Sequence, residues 1–173
     1  MVKRGKGFSL IEVMVSLVIL VIGLIGIFNL HVVSKRGSFE SFQQTQASYY
    51  ANDIINRMKL NPTQLANYAG TYSKLPTSVG KECKGATVCS STEMAAWDLY
   101  EWQISFFGTA EKVGTQNVGG LDTPIACIVV NGNDVTVTMA WKGIRKTKIA
   151  SATSDCGSAT TNRRLYSVQT VII

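Results

Sequence analysis

The chain has 173 residues, with 17 Lys and Arg against 11 Asp and Glu for a net charge of +6. That is room for one compact domain at ~100 to 200 residues each and excludes a multidomain machine. The 46% apolar content is unevenly spread: from Val13 to Phe28 every residue is apolar except Ser16, Gly23 and Gly26, and no further charge appears until Lys35. Such a distribution marks an anchored protein rather than a plain globule.

Met1 to Gly7 is basic (Lys3, Arg4, Lys6) and free of acids, and from Phe8 to Val33 only Glu12 carries charge. About 20 helical residues cross a ~30 Å hydrocarbon core. The cations before the segment set the amino end in the cytoplasm and send the rest of the chain across. A cleavable secretory signal fits poorly, because the apolar run passes through Phe28-Asn29-Leu30-His31-Val32-Val33 without a small-residue A-x-A-like site. An uncleaved signal anchor is the alternative. Glu12 is the informative residue: a carboxylate near the centre of a spanning helix costs about 2.5 to 3.5 kcal/mol, less at the interface. The plain reading leaves it hydrated at headgroup depth.

Downstream, Phe39, Phe42, Ala47, Tyr50, Ala51, Ile54, Ile55 and Met58 recur at three- and four-residue steps, the signature of one helix face. Asn61-Pro62 ends the helix, because the residue before Pro disfavours the α region and Pro has no N–H. A helix continuous from Phe8 to Leu60 would run about 80 Å at ~1.5 Å per residue. Its first half, residues 8–33, then needs lipid or a fibre around it, and residues 34–61 form an amphipathic half that packs on a head, residues 62–173. Gly23, Gly26 and Gly37 weaken such a helix by about 1 kcal/mol each and suit close packing or local melting; ordinary Gly enrichment in membrane helices explains the first two equally well.

From Thr63 to Ser90 the chain is rich in Asn, Thr, Ser, Gly and Lys and reads as a surface connection with one helical turn at most. Ser90-Ser91-Thr92-Glu93 is a capping box. Met94, Trp97, Leu99 and Tyr100 behind it suggest a short helix, while Tyr100 to Phe107 alternates enough to begin a strand. Ala126 to Val130, the turn Asn131-Gly132-Asn133, and the alternating Val135, Val137, Met139 and Trp141 read as a β-hairpin. Arg163 to Ile173 fits a last strand. The class is therefore α+β: a long amino-terminal helix, half membrane-spanning and half amphipathic, laid on a small antiparallel sheet of at least three strands.

All four cysteines follow the apolar segment, on the side expected to be oxidising, so disulfides are expected. Cys83 and Cys89 enclose a five-residue loop unlike a Cys-x-x-Cys metal or redox site, and pairing them leaves Cys127 for Cys156; crossed pairings stay open. Enzyme chemistry has little support. His31 is the sole histidine and lies at the end of the apolar segment, which removes a His-based triad or multi-His metal site. No P-loop or dinucleotide fingerprint, catalytic residue, cofactor site or metal site is expected; Gly5-Lys6-Gly7 lies in the leader. Trp97, Trp102 and Trp141 read as core or subunit-contact residues rather than a ligand cage. Lys142, Arg145, Lys146 and Lys148 form a basic cluster beside Trp141, read as a solvated face in preference to a nucleic-acid contact.

The string Lys3-Arg4-Gly5-Lys6-Gly7-Phe8-Ser9-Leu10-Ile11-Glu12-Val13 resembles the processing site of type IV prepilins. The resemblance implies cleavage between Gly7 and Phe8 by a membrane prepilin peptidase that also N-methylates Phe8, leaving 166 residues. It implies that Glu12, at the fifth mature position, serves assembly by pairing with a neighbour's new amine. Val21-Ile22-Gly23-Leu24-Ile25-Gly26, the stretch from Tyr50 to Pro62, Asp98-Leu99-Tyr100-Glu101-Trp102 after Cys89-Ser90, and Trp141-Lys142-Gly143 before Cys156 are similar to minor pilins of the PilV type. That likeness implies a single-pass inner-membrane protein with a periplasmic head. It implies too that the chain joins other minor pilins and the major pilin at or near a pilus tip, in a complex that primes assembly, with a tip adhesin as a further partner. Asn29 departs from the pattern, since many pilins carry Pro there, where the helix melts in the fibre. A pseudopilin of a type II secretion system is the alternative, a major pilin the third reading, and an anchored periplasmic ligand-binding domain the one from a different class.

Overall fold

The computed structural model of the protein describes residues 7, 9–146, 156–157 and 162–173. Its elements are α1 (Leu10–Leu60), a 3-10 helix (Pro62–Tyr68), β1 (Gly70–Tyr72), α2 (Ser91–Phe106), β2 (Lys112–Val113), β3 (Gln116–Asn117), β4 (Ile125–Asn131), β5 (Asp134–Lys142) and β6 (Arg163–Val171). The chain divides into two compact units, the first ending at Phe39 and the second running from Glu40 to Ile173.

In the first unit every described residue from Leu10 to His31 is exposed, so nothing within the unit covers its apolar side chains. α1 begins at Leu10, two residues later than the sequence pattern suggests, and it ends where Asn61, at φ −134° and ψ 53°, leaves helical geometry before Pro62. Pro62 opens the 3-10 helix, where a missing N–H costs nothing.

The second unit is built on an antiparallel sheet in the order β1-β4-β5-β6. β4 and β5 form a hairpin from Ile125↔Ala140 to Asn131↔Asp134, and Gly132 supplies at φ +61° the left-handed conformation that a two-residue hairpin turn needs at its first central position. β6 runs beside β5 in unbroken register from Lys142↔Arg163 to Asp134↔Val171. Period-two alternation sends Ala126 and Ile128 of β4 and Val135, Val137, Met139 and Trp141 of β5 into one core with Ala47, Tyr50, Ala51, Ile54, Ile55 and Met58 of α1. Trp102 and Phe106 of α2 complete it. The opposite face of β5 is also buried at Thr138 and Ala140, and Cys156 lies over it with its sulfur 3.6 Å from the Thr138 carbonyl oxygen.

Two elements correct the sequence reading. The segment after Thr63, read as a surface connection with one helical turn at most, contains most of the 3-10 helix and also β1, whose three residues add a fourth strand to the sheet by pairing with Tyr72↔Ala126 at one end and Gly70↔Ile128 at the other. A three-residue strand is too short to show a period. The ambiguity after Ser90 resolves as helix throughout: α2 keeps Ala95, Asp98, Trp102 and Phe106 inward at helical spacing, and its capping box is formed, with Ser90 Oγ accepting from Glu93 N and Glu93 Oε2 accepting from Ser90 N at 2.8 Å. The chain after α2 turns tightly through Gly108 and Gly120. Both have positive φ, and a Cβ at either would collide with the other's backbone.

Candidate processing and assembly site

At the amino end, Gly7 is exposed. Phe8, the residue expected to be methylated, lies outside the described residues, as does the leader from Met1 to Lys6. The first turn of α1 closes on Ser9, whose carbonyl accepts from Glu12 N at 3.0 Å and Val13 N at 3.3 Å. Ser16 Oγ donates to the Glu12 carbonyl at 2.7 Å, which satisfies a hydroxyl that lipid would otherwise strand. Glu12 itself is exposed in this first turn, where the helix dipole favours a carboxylate by about 0.3 to 1 kcal/mol.

Behind Glu12, seventeen large apolar side chains from Leu10 to Val33 stand exposed, Leu10 at 78% and Phe28 at 70% among them. At ~1.5 to 3 kcal/mol for each such side chain buried, leaving them in water costs tens of kcal/mol. Lipid or other helices must cover them. Among the described residues, α1 is the one helix long and apolar enough to cross a membrane. His31 is exposed on it, and a Cβ at Gly23, Gly26 or Gly37 would meet nothing among the described residues.

The head carries the residues that the sequence singled out downstream. The structure bonds Cys83 to Cys89 and Cys127 to Cys156. The first pair closes the loop before the α2 cap, and Lys84 of that loop lies 4.7 Å over the Trp97 ring. The second ties β4 to the chain entering β6 across 29 residues, a closure worth about 3 to 4 kcal/mol. Reduction opens both disulfides and is therefore expected to lower the unfolding free energy by more than that amount, with Cys127→Ala/Cys156→Ala giving the larger share and Cys83→Ala/Cys89→Ala a smaller one, as read from urea unfolding. Trp97, Trp102 and Trp141 are all buried. Lys142, Arg145 and Lys146 are exposed, and Lys148 lies outside the described residues. Among the described residues no group of three or more His, Cys, Asp or Glu could hold a metal ion.

Two polar assemblies escaped the sequence reading. Arg57, near the end of α1, donates from Nη1 to Asp98 Oδ1 and Glu101 Oε2, both at 3.2 Å, and from Nε to Asp53 at 3.3 Å. Tyr68 Oη donates to the second Asp98 oxygen at 2.8 Å, and Asn61 Nδ2 donates to the Ser91 carbonyl at 2.8 Å. The charges at this junction of α1, the 3-10 helix and α2 are thus satisfied. Burial, helped by the bond to Asp98, raises the Tyr68 hydroxyl far above the usual tyrosine range.

At the start of the head, Glu40 accepts from Arg145 N at 3.0 Å, from Arg145 Nη2 at 3.1 Å and from Arg164 Nη2 at 3.2 Å. Burial alone would raise its carboxyl, but these donors outweigh burial and hold it below the usual range. The sign is that of a depressed acid: the stabilisation is complete above the unfolded-state pKa and is lost as pH falls through the lower folded value. Stability of the wild type should fall between about pH 5 and 3, and Glu40→Gln should flatten that limb while lowering stability at neutral pH. Thermal unfolding across pH checks both.

A family model described as type IV pilin Tt1218 matches residues 30–100, and a model of the prokaryotic N-terminal methylation motif matches residues 2–28. Comparison with the curated proteins and with the solved structures gives no significant match. Over these two segments the chain is similar to type IV pilins, which supports a pilin role in a pilus or a secretion system.

Proposed function

We propose, from the premise of a type IV pilin, that this chain is a minor pilin cut between Gly7 and Phe8, methylated at Phe8, and built into a complex that primes a type IV pilus at or near its tip. The observation that carries the proposal is the amino-terminal helix with a single carboxylate in its first turn and no cover for its apolar surface. A helix of that kind is an assembly element: membrane lipid holds it before assembly and neighbouring helices hold it afterwards, and in both settings it needs few polar contacts. Glu12 supplies one. The amine freed at Phe8 is cationic near neutrality, with a reference pKa of about 7.7 to 8. A carboxylate facing a neighbour's amine in an apolar fibre is tolerated, whereas either charge alone is strongly penalised. The pair sets the axial register between subunits.

The head is proposed to face the periplasm, where its disulfides persist, and to meet other minor pilins, the major pilin and a tip adhesin. The minor-pilin reading rests on two stretches of the PilV-type resemblance that meet in space: Tyr50 to Pro62 supplies Arg57 and the Tyr50 carbonyl, while Asp98 to Trp102 supplies the Asp98 and Glu101 carboxylates and the Trp102 Nε1–H. Photocrosslinking from positions on α1, with mass spectrometry of the captured neighbours, separates the readings. Pilins of a surface fibre support the proposal; subunits and cargo of a secretion apparatus transfer the chain to that machine.

A further inference from the structure

Five cations of the head are gathered at one end of the sheet: Lys142 ends β5 in register with Arg163, Arg164 follows on β6, and Arg145 and Lys146 come next after β5. Among the described residues, two acidic residues touch this group. Glu40 binds Arg145 and Arg164, and the Asp122 carbonyl accepts from Lys142 N at 2.9 Å. At the opposite end of the same strands the turn Asn131-Gly132-Asn133-Asp134 has no cation. Lys142, Arg145 and Lys146 are exposed, the Arg145 side chain at 60%. Arg163 is buried, and its Nε and Nη2 have no hydrogen-bond partner, so no bonded acid cancels its charge. Of the neighbouring segments outside the described residues, 147–155 carries one cation, Lys148, and one acid, Asp155, and 158–161 is uncharged. Whatever their course, together they leave the net charge of the group unchanged.

We infer that this end of the head binds anionic phospholipid headgroups, with Lys142, Arg145 and Lys146 as the contacts to their phosphates. The inference rests on the membrane-spanning reading of α1. Residues 34–39, which follow the apolar run, are helical and cover about 9 Å at ~1.5 Å per residue. Glu40 is the next residue, and it holds Arg145. With Val33 at the edge of the hydrocarbon, that step is comparable to the ~5 to 7 Å headgroup layer plus a screening length of ~8 Å. The chain therefore keeps Arg145 within reach of the lipid charge. Each cation near an anionic bilayer strengthens binding about fivefold. Nucleic acid offers the same phosphate chemistry, but nothing in the chain brings it to this end of the head, whereas α1 brings a membrane. The proposed cut before Phe8 removes Lys3, Arg4 and Lys6. The cations of the head then hold the mature subunit against the bilayer until assembly withdraws it.

The test uses the full chain in nanodiscs of phosphatidylcholine alone, or of phosphatidylcholine and phosphatidylglycerol in equal parts. All four native cysteines are in disulfides, so Ile144→Cys, at a position 45% exposed, introduces a single thiol for a fluorophore. Lipid carrying a quencher on its headgroup reports contact. Quenching should be several-fold stronger in the anionic discs. The population in contact should fall about fivefold or more with Lys142→Glu and again with Lys146→Glu. It should vanish at ~1 M salt, where the screening length is ~3 Å. Lys59→Glu, in the last turn of α1, makes the same change of net charge as either variant and should leave the quenching as it was. Equal quenching in the two discs, with the chain recovered in both, overturns the lipid contact and leaves the anchor standing. A chain that enters neither disc overturns the anchor and the contact together. Equal quenching joined to Lys142-dependent retention of duplex DNA gives the group to nucleic acid instead.

Discussion

Trp102→Ala is expected to cost the head about 3 to 5 kcal/mol, the range for deleting a buried Trp ring. The side chain is fully buried; its ring stands edge-on to Phe106 at 4.8 Å and to Tyr72 at 5.6 Å, and Nε1 donates to the Tyr50 carbonyl at 2.8 Å. One residue thus joins α2, α1 and the chain at β1. Its removal opens a large cavity and orphans an acceptor in the same step. Trp102→Phe should fall between, keeping much of the ring contact but losing the hydrogen bond. Against a typical stability of ~5 to 15 kcal/mol the alanine variant stands near the threshold of unfolding. Urea unfolding of the two variants checks this, and an unchanged midpoint for Trp102→Ala would refute the placement of the ring in the core.

Glu12→Val should have the largest effect on function with almost none on the head. Glu12 lies in the first turn of α1, outside the head unit, and its backbone N–H bond to Ser9 does not depend on its side chain. Membrane insertion should improve slightly, because an apolar side chain replaces a charge. Cleavage after Gly7 should continue. What should fail is entry into the fibre, because the neighbour's Phe8 amine then has no counter-charge in an apolar surround. Glu12→Gln should share the defect, since it keeps the size and loses the charge, whereas Glu12→Asp should retain part of the function. Immunoblots of membrane and sheared-fibre fractions report the outcome: normal amounts of Glu12→Val in fibres would exclude the charge pair as the register device.

Much of this molecule could be read from local sequence because its strongest signals are local. The Asn61-Pro62 stop, the Ser90 to Glu93 cap and the Asn131-Gly132 turn each act over a few residues, and each marks an element boundary in the structure. β1 was illegible for the opposite reason: Gly70 to Tyr72 is held by pairing with β4, more than fifty residues away, and has no period of its own. The α2 ambiguity arose because Met94, Trp97, Leu99 and Tyr100 suit a helix while Tyr100 to Phe107 alternates as a strand does; Asp98, buried and bonded to Arg57 and Tyr68, goes with the helix. Glu40 and Gln43 read from sequence as ordinary polar residues on a helix, yet Glu40 holds two arginines and Gln43 clamps the Gly120 carbonyl and the Asp122 N–H. Such contacts span more than seventy residues, and composition carries no trace of them. The string from Lys3 to Val13 is legible for a different reason: it falls within the match to the N-terminal methylation motif, a pattern carried by the residues themselves.

The proposed assembly role of α1 depends on the proposed cleavage before Phe8. Mass spectrometry of the amino-terminal peptide from membrane-extracted protein, with and without the prepilin peptidase, tests it most directly. The expected peptide begins at Phe8, carries one methyl group on its amine, and is absent without the peptidase. A peptide that keeps Met1, or one cut beyond Val33, would contradict that maturation and remove the assembly role of Glu12 with it.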